Sequence, residues 1–485
     1  MTLFIAGQWT PGSGPAFTSY EPATGAEVWQ GMSASAQDVA AAVAAAEAAL
    51  PHWSGLSLEA RIDVLEAYRD LMRSKAGALA ELIGRENGKV LWDAAGEAAA
   101  TANKVDISIQ AYRERTPTRV SENGAIRTRL SHRPHGVMAV FGPYNFPAHL
   151  ANGHIVPALL AGNTVVFKPS EQVPAVAEFM VRVWQEAGLP DGVLNLVQGG
   201  AACGQALTSD TRINGVLFTG SVPVGHAIAR SLADRPWVMQ ALELGGNNPL
   251  IVDSVADKQA AAWLTIQSAF ITSGQRCTCA RRLIVPKGSE GDAFIDTLAG
   301  EMQRIRVGAY SADPEPFMGP LISAHAANAV MRAQERALGM GAQAVVASQQ
   351  LASLGDAFVS PGLVDVTGCT MPDEEVFGPW LQLTRTDDFE SAVKAANATR
   401  FGLASGLISD DAARYDHFYK HARAGIVNWN QQLTGAASTA PFGGVGMSGN
   451  NRPSAYYAAD YVAYAVASME HADNKVTAAC PKGMA

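Results

Sequence analysis

The sequence predicts an α/β protein built on two parallel sheets, and three observations carry that expectation. Short apolar runs of strand length alternate with longer segments of helical period from Gly136 onward. The residues directly after those runs are Gly, Pro and small polar types, as at the carboxyl ends of parallel strands. The chain has 485 residues, more than one hydrophobic core covers, so two or three domains are expected.

Residues 1–30 are short apolar stretches broken by Gly, Pro and Thr, and read as small strands and turns. Asp38–Leu50, Leu58–Lys75 and Ala94–Tyr112 carry helical period with Ala-rich faces and predict a packed helical layer. Asn87-Gly88 breaks that layer. Residues 116–130 are polar and Arg-rich, and Asn123-Gly124 predicts an exposed hairpin, either a subunit-contact arm or a plain surface excursion.

Strands are then expected at Gly136–Phe141, Thr164–Phe167, Val193–Val197, Gly215–Phe218 and Val238–Leu242, with helices at Ala175–Ala187, from Gln205, and at Val224–Ala233. Right-handed crossovers would make this a parallel sheet. A second βα region follows: strands at Pro249–Val252, Leu283–Val285 and Gly425–Trp429, helices at Lys258–Ser273 and Gly291–Ile305. The tail Ala455–Ser468 alternates aromatic and small residues and predicts a strand that pairs outside its own domain.

Composition excludes several classes. Net charge is -9, from 36 basic and 45 acidic residues, which argues against non-specific nucleic-acid binding. Five cysteines, odd in number and scattered, do not form a disulfide framework. Cys277 and Cys279 have no second pair or spaced His, so no metal site is expected. The N-terminus lacks a basic segment followed by a long apolar run, and no stretch is apolar enough to span a membrane. The expectation is a cytoplasmic enzyme.

Ligands of open α/β sheets sit at strand carboxyl ends, and four ends carry chemistry. The first leads to Gly142-Pro-Tyr-Asn145-Phe-Pro, and the second to Lys168-Pro-Ser-Glu171. The fourth leads to Thr-Gly220-Ser221-Val222-Pro223-Val224-Gly225, and the fifth to Glu243-Leu-Gly-Gly. A helix opening at Ser221 behind Gly220 makes an anion site from free N–H groups and the helix dipole. Lys168 and Glu171 suit a ribose, and an acid there favours NAD over NADP, whose 2′-phosphate it repels. Gly444-Val-Gly-Met-Ser-Gly449 matches the dinucleotide pattern but has no strand before it or helix after it, so it reads as a pocket-lining loop.

Cys277 sits in Phe270–Arg281, a small polar stretch after an Ala-rich amphipathic segment. A lone free Cys is more often a small buried hydrophobe than a nucleophile. Arg276 and Arg281 offer a positive field that would lower its pKa. Two rivals use the same residues: a cofactor-free thiol hydrolase built on Cys277 and Glu243, and a non-enzymatic protein recruited from a dehydrogenase scaffold.

Together these stretches resemble the NAD(P)-dependent aldehyde dehydrogenase superfamily over essentially the whole chain. The matching pieces are Pro143–Pro147, Phe167–Glu171, Phe218–Ser221, Leu242–Gly246, Gly274–Cys277, Glu375–Pro379 and Pro441–Gly444, in matching order and spacing. His132–Val137, Phe146–His154, Gly274–Arg282 and Asn428–Pro441 are similar to the branch acting on N-succinylglutamate 5-semialdehyde in arginine catabolism.

The resemblance implies an aldehyde dehydrogenase-like fold with two Rossmann-like domains and a small β oligomerisation arm. The NAD-binding domain would comprise 1–115 with 135–245, the catalytic domain 246–446, and the arm and tail 116–134 and 447–485. It implies Cys277 as nucleophile, Asn145 as oxyanion donor and Glu243 as the base for thioester hydrolysis. Glu243 favours a free acid product over transfer to CoA. It implies Lys168 and Glu171 at the adenosine ribose, Gly220–Gly225 at the pyrophosphate, and Glu375 with Phe377 at the nicotinamide ribose. Cys279 is a companion rather than an essential group. The acidic semialdehyde, whether of succinylglutamate, succinate or glutamate, needs cationic and hydroxyl partners, for which Arg276, His149, His154, Ser438 and Thr439 are the candidates. A homodimer or homotetramer is expected.

Overall fold

The computed structural model describes residues 2–476, 478 and 480–484. The expected N-terminal domain and tail thus include four positions, 1, 477, 479 and 485, that lie outside the described residues. The helical layer begins with α1 (Ala36–Gly55), opened by a capping box between Ser35 and Asp38 that satisfies two first-turn donors. Next come α2 (Leu58–Ser74), α3 (Ala76–Asn87) and α4 (Leu91–Arg115). The Asn87-Gly88 break is where α3 stops, with Gly88 left-handed at φ 80°. A fifth helix, α5 (His149–Leu160), escaped the sequence reading because it is buried on nearly every side and shows no polar face.

The first sheet has seven strands in the order Met239–Glu243, Ile213–Thr219, Val137–Phe141, Thr164–Lys168, Leu194–Leu196, Leu3–Ile5, Gln8–Thr10. Its first five strands are parallel, as expected, and the N-terminal pair adds antiparallel at the edge. The crossovers include α6 (Pro174–Glu186), α7 (Ala201–Ser209) and α8 (Val222–Ser231).

The second sheet also has seven strands: Gln343–Val346, Gly362–Asp365, Trp380–Thr386, Ala280–Pro286, Asn248–Val252, Ala404–Ile408, Ile426–Trp429. Four of these were not expected, because runs as short as Gly362–Asp365 carry too few residues to show a period.

Two expectations are corrected. The helix expected at Lys258–Ser273 ends at Phe270 as α9 (Lys258–Phe270). Thr272 and Ser273 (both φ 55°) and Gly274 (φ 70°) then form a left-handed turn. The tail strand is Ala463–His471, preceded by a short helix at Ala458–Tyr461, and pairs antiparallel with Ile126–Pro134 of the hairpin. Hairpin and tail form one three-stranded sheet.

Candidate active site

A cleft of about 920 Å³ runs along the carboxyl ends of the first sheet and reaches into the second. It brings together Asn145, Lys168, Glu171, Gly220, Ser221, Val222, Pro223, Val224, Glu243, Cys277, Glu375 and Phe377. Its volume is that of a cofactor or ligand site.

At the outer end, Lys168 Nζ lies 3.7 Å from Glu171 and donates to the Pro169 carbonyl at 2.8 Å. Burial lowers the Lys168 pKa, with Glu171 opposing. Ser221 stands at the N-cap of α8, yet its side chain caps nothing, which leaves first-turn donors for a ligand. Val224 in that turn is 48 % exposed, an apolar face open to the cleft. Gly225 lies beneath: a Cβ there would come within 2.4 Å of Leu244, so glycine lets α8 pack against the strand end. An uncapped helix start, a buried cation beside an acid and an open apolar face fit a dinucleotide.

At the inner end the left-handed turn delivers Cys277. A Cβ on Gly274 would sit 2.1 Å from the Gly378 carbonyl, so this turn needs glycine for both its φ and its space. Asn248 Nδ2 donates to the Cys277 and Cys279 carbonyls at 2.7 and 2.9 Å and fixes the peptide beyond. Asn145 is buried and donates to the Gln275 carbonyl at 2.8 Å, which pins its amide beside the nucleophile.

Burial pushes the Cys277 thiol up to about 12, reinforced by Glu375 and Glu243, while Arg281 pulls the other way. Burial thus outweighs the field expected from Arg281. Arg276 does not add to it: its guanidinium donates to Asp93 at 2.7 Å and to Thr272 at 2.8 Å. Arg281 is 1 % exposed; its terminal nitrogens donate to the Gly378 and Arg276 carbonyls, 3.6 Å from Glu375, and its Nε has no partner among the described residues. Cys279 is buried and its thiol pKa is raised by that burial.

Glu243 is 4 % exposed, and burial raises its pKa well above the ordinary carboxyl value. One of its oxygens, Oε2, has no partner. Gly443 makes room for the other: a Cβ there would lie 2.8 Å from Oε1. Glu375 is pushed up to about 7 by burial, opposed by Arg281 and by the Gly246 N–H.

The candidates for substrate contact sit elsewhere. None of Arg276, His149, His154, Ser438 and Thr439 lines the cleft. His154 is buried with Nε2 2.9 Å from the Thr219 hydroxyl. Thr439 is exposed and Ser438 half-buried on the loop before Pro441. His149 opens α5, its N–H held by Glu97 at 3.2 Å. The 444–449 loop does reach the cleft through Met447, and Ser448 O accepts from Leu244 N–H at 2.9 Å, tying the two sheets together. Gly200, Gly204, Gln205 and Thr208 also line the cleft and were missed. Gly199-Gly200, directly after the third strand, was a signal of the same kind as Gly220.

Cys277, the Asn145 amide and the buried Glu243 carboxyl meet in one cleft, and the chain belongs to the aldehyde dehydrogenase family, which it matches over residues 9–466. It is 55% identical over 470 residues to the N-succinylglutamate 5-semialdehyde dehydrogenase of Ectopseudomonas mendocina, covering 97% of this chain and 96% of that one. The protein of the same name from Paraburkholderia xenovorans is 53% identical over 484 residues, 99% of each chain. The crystal structure of PnpE in complex with nicotinamide adenine dinucleotide is 30% identical, with a TM-score of 0.92 over 98% of both chains.

Proposed function

We propose that the chain oxidises N-succinyl-L-glutamate 5-semialdehyde to N-succinyl-L-glutamate with NAD as acceptor. The observation that carries the chemistry is the meeting of Cys277, Asn145 and Glu243 in one cleft. The 55% identity to the named relative supports the choice of aldehyde.

Lys168 and Glu171 would hold the adenosine ribose, Gly220–Gly225 the pyrophosphate, and Glu375 with Phe377 the nicotinamide ribose. When bound, the dinucleotide supplies the hydride acceptor. Glu171 beside the ribose supports NAD over NADP.

The protein's own part begins with Cys277 Sγ, which attacks the aldehyde carbon as its proton leaves and forms a thiohemiacetal. The Asn145 amide and the Cys277 backbone N–H hold the oxyanion. After oxidation the acyl group remains on Sγ as a thioester. Glu243 takes a proton from water, the hydroxide adds to the acyl carbon, and the free acid leaves with the thiol restored. A buried Glu243 with an unpartnered oxygen is poised for that water.

The test is a kcat/KM panel, followed by NADH absorbance, over the semialdehydes of succinylglutamate, succinate and glutamate and one aliphatic aldehyde. Succinylglutamate semialdehyde is expected to lead. A higher value for any other member overturns the substrate, and acid formation without NADH overturns the dehydrogenase reading.

A further inference from the structure

Buried charges gather around α4, which packs against α5. Lys89 pairs with Glu97, and Arg276 pairs with Asp93 at 2.7 Å. Lys89 Nζ also stands 3.5 Å from the centre of the Phe146 ring. Three cations and two carboxylates leave one cation over. That one is Lys104 on α4, which is 2 % exposed and has no ion-pair or hydrogen-bond partner among the described residues. A buried, unpaired ammonium is costly unless something answers it.

The surroundings are those of an anion site. His149 Nδ1 and His154 Nδ1 are buried without partners. Burial lowers the two imidazoles to about 4 and about 3, with Lys104 contributing in both cases, so both are neutral near pH 7 and each can carry its proton on Nδ1. Lys104, lowered to about 8 by burial, is still a cation there.

The site is reachable from the nucleophile. Along α5 and the turn before it, Phe146, His149, Leu150 and Gly153 keep part of their surface accessible, while Ala148, Ala151, Asn152 and His154 are buried. That spacing is one helical face. Leu150 on this face lines the cleft with Cys277. At Gly153 no side chain fills the space: a Cβ there would meet only Lys104 Cε, at 3.9 Å. From His149 to Gly153 the face advances roughly 6 Å, at about 1.5 Å per residue, the length of a short acyl arm.

We infer that Lys104 is a specificity-determining residue: its ammonium receives the distal carboxylate of the acidic substrate, which enters along the accessible face of α5 past Gly153. The inference rests on the proposed oxidation of N-succinylglutamate 5-semialdehyde. It places the succinyl carboxylate against Lys104 and leaves the aldehyde at Cys277. Glycine at 153 keeps the passage open.

The experiment compares kcat/KM for N-succinylglutamate semialdehyde and its N-butanoyl analogue, in which a methyl group replaces the distal carboxylate. The wild-type protein, Lys104→Met and Lys104→Arg are measured, and NAD binding by calorimetry checks that each is folded. The wild type is expected to favour the succinyl compound by about tenfold to a hundredfold, the range of a charge-assisted hydrogen bond. Lys104→Met should bring that ratio close to one through KM, and Lys104→Arg should keep most of it. A large wild-type ratio that persists in folded Lys104→Met overturns the assignment, as does an equal loss for both compounds. A wild-type ratio near one overturns the substrate reading itself. If Lys104→Met does not fold, Gly153→Leu takes its place. It fills the space beside Lys104 Cε while keeping the ammonium, and an undiminished succinyl preference there overturns the assignment.

Discussion

At the residue scale the cleft is a set of buried groups whose protons are held back. The Cys277 thiol at about 12 and the raised Glu243 carboxyl both favour the neutral form. Both must lose a proton to act, so the two effects have the same sign. For an aliphatic aldehyde, which makes no use of the Lys104 charge, we expect kcat/KM to rise from neutral to alkaline pH, and a stopped-flow pH profile checks it. Cys277→Ala is expected to abolish NADH formation while NAD affinity, read by calorimetry, stays near that of the wild type. Glu243→Gln is expected to give one rapid burst of NADH and then slow turnover, because the thioester forms but waits for its base. A burst-free, unaltered steady state would count against the base. Arg281 is a buried tie between the Cys277 loop and the Glu375 loop, and only its neighbourhood in space reveals it.

At the scale of elements, function depends on short irregular pieces held between regular ones. The left-handed turn at Thr272–Gly274 stores strain next to Cys277, where the surrounding packing sustains it. Another such junction lies at Glu86 in α3. Its carboxyl accepts from Ser19 at 2.6 Å and from Ala175 and Val176 N–H at 2.9 Å, joining the strand Ala16–Tyr20 to the start of α6. Burial raises it from 4.5 to about 7. A carboxyl raised on folding adds stability below its ordinary value and loses it as pH climbs through the folded one. Wild-type stability should therefore fall between these two values by an amount that Glu86→Gln lacks. Glu86→Ala should cost about 1–3 kcal/mol, since three donors lose a buried acceptor. Urea titration across that pH range measures both.

At the scale of the whole molecule, two seven-stranded sheets share the cleft, and a three-stranded arm carries apolar residues outward. Val120 and Tyr464, on one face of that arm by strand register, are 53% and 46% exposed, and Met469 on the other face is 77% exposed. We propose a homodimer or homotetramer formed through the face that carries Val120 and Tyr464. Light scattering on Val120→Lys/Tyr464→Lys should show a smaller species than the wild type, with NAD binding retained. Among the described residues no helix is long and apolar enough to cross a membrane.

The sequence by itself determined the local chemistry. Gly220-Ser221 behind a strand, Lys168 and Glu171 three apart, Glu243 at a strand end and Cys277 after an amphipathic segment were legible because strand ends and helix starts are written in adjacent residues. The first sheet was legible for the same reason, whereas α5 and four strands of the second sheet were not, being buried on all sides or too short for a period. The tertiary structure alone decided which charges are free. Arg276 read as a field for Cys277 until Asp93, 183 residues away, neutralised it. Lys104 lies inside the helical segment Ala94–Tyr112 with nothing local to single it out, and the fold leaves it buried without a carboxylate. Local order follows from neighbouring residues, but the state of a buried charge follows from partners brought together across the chain, and only the folded molecule sets those.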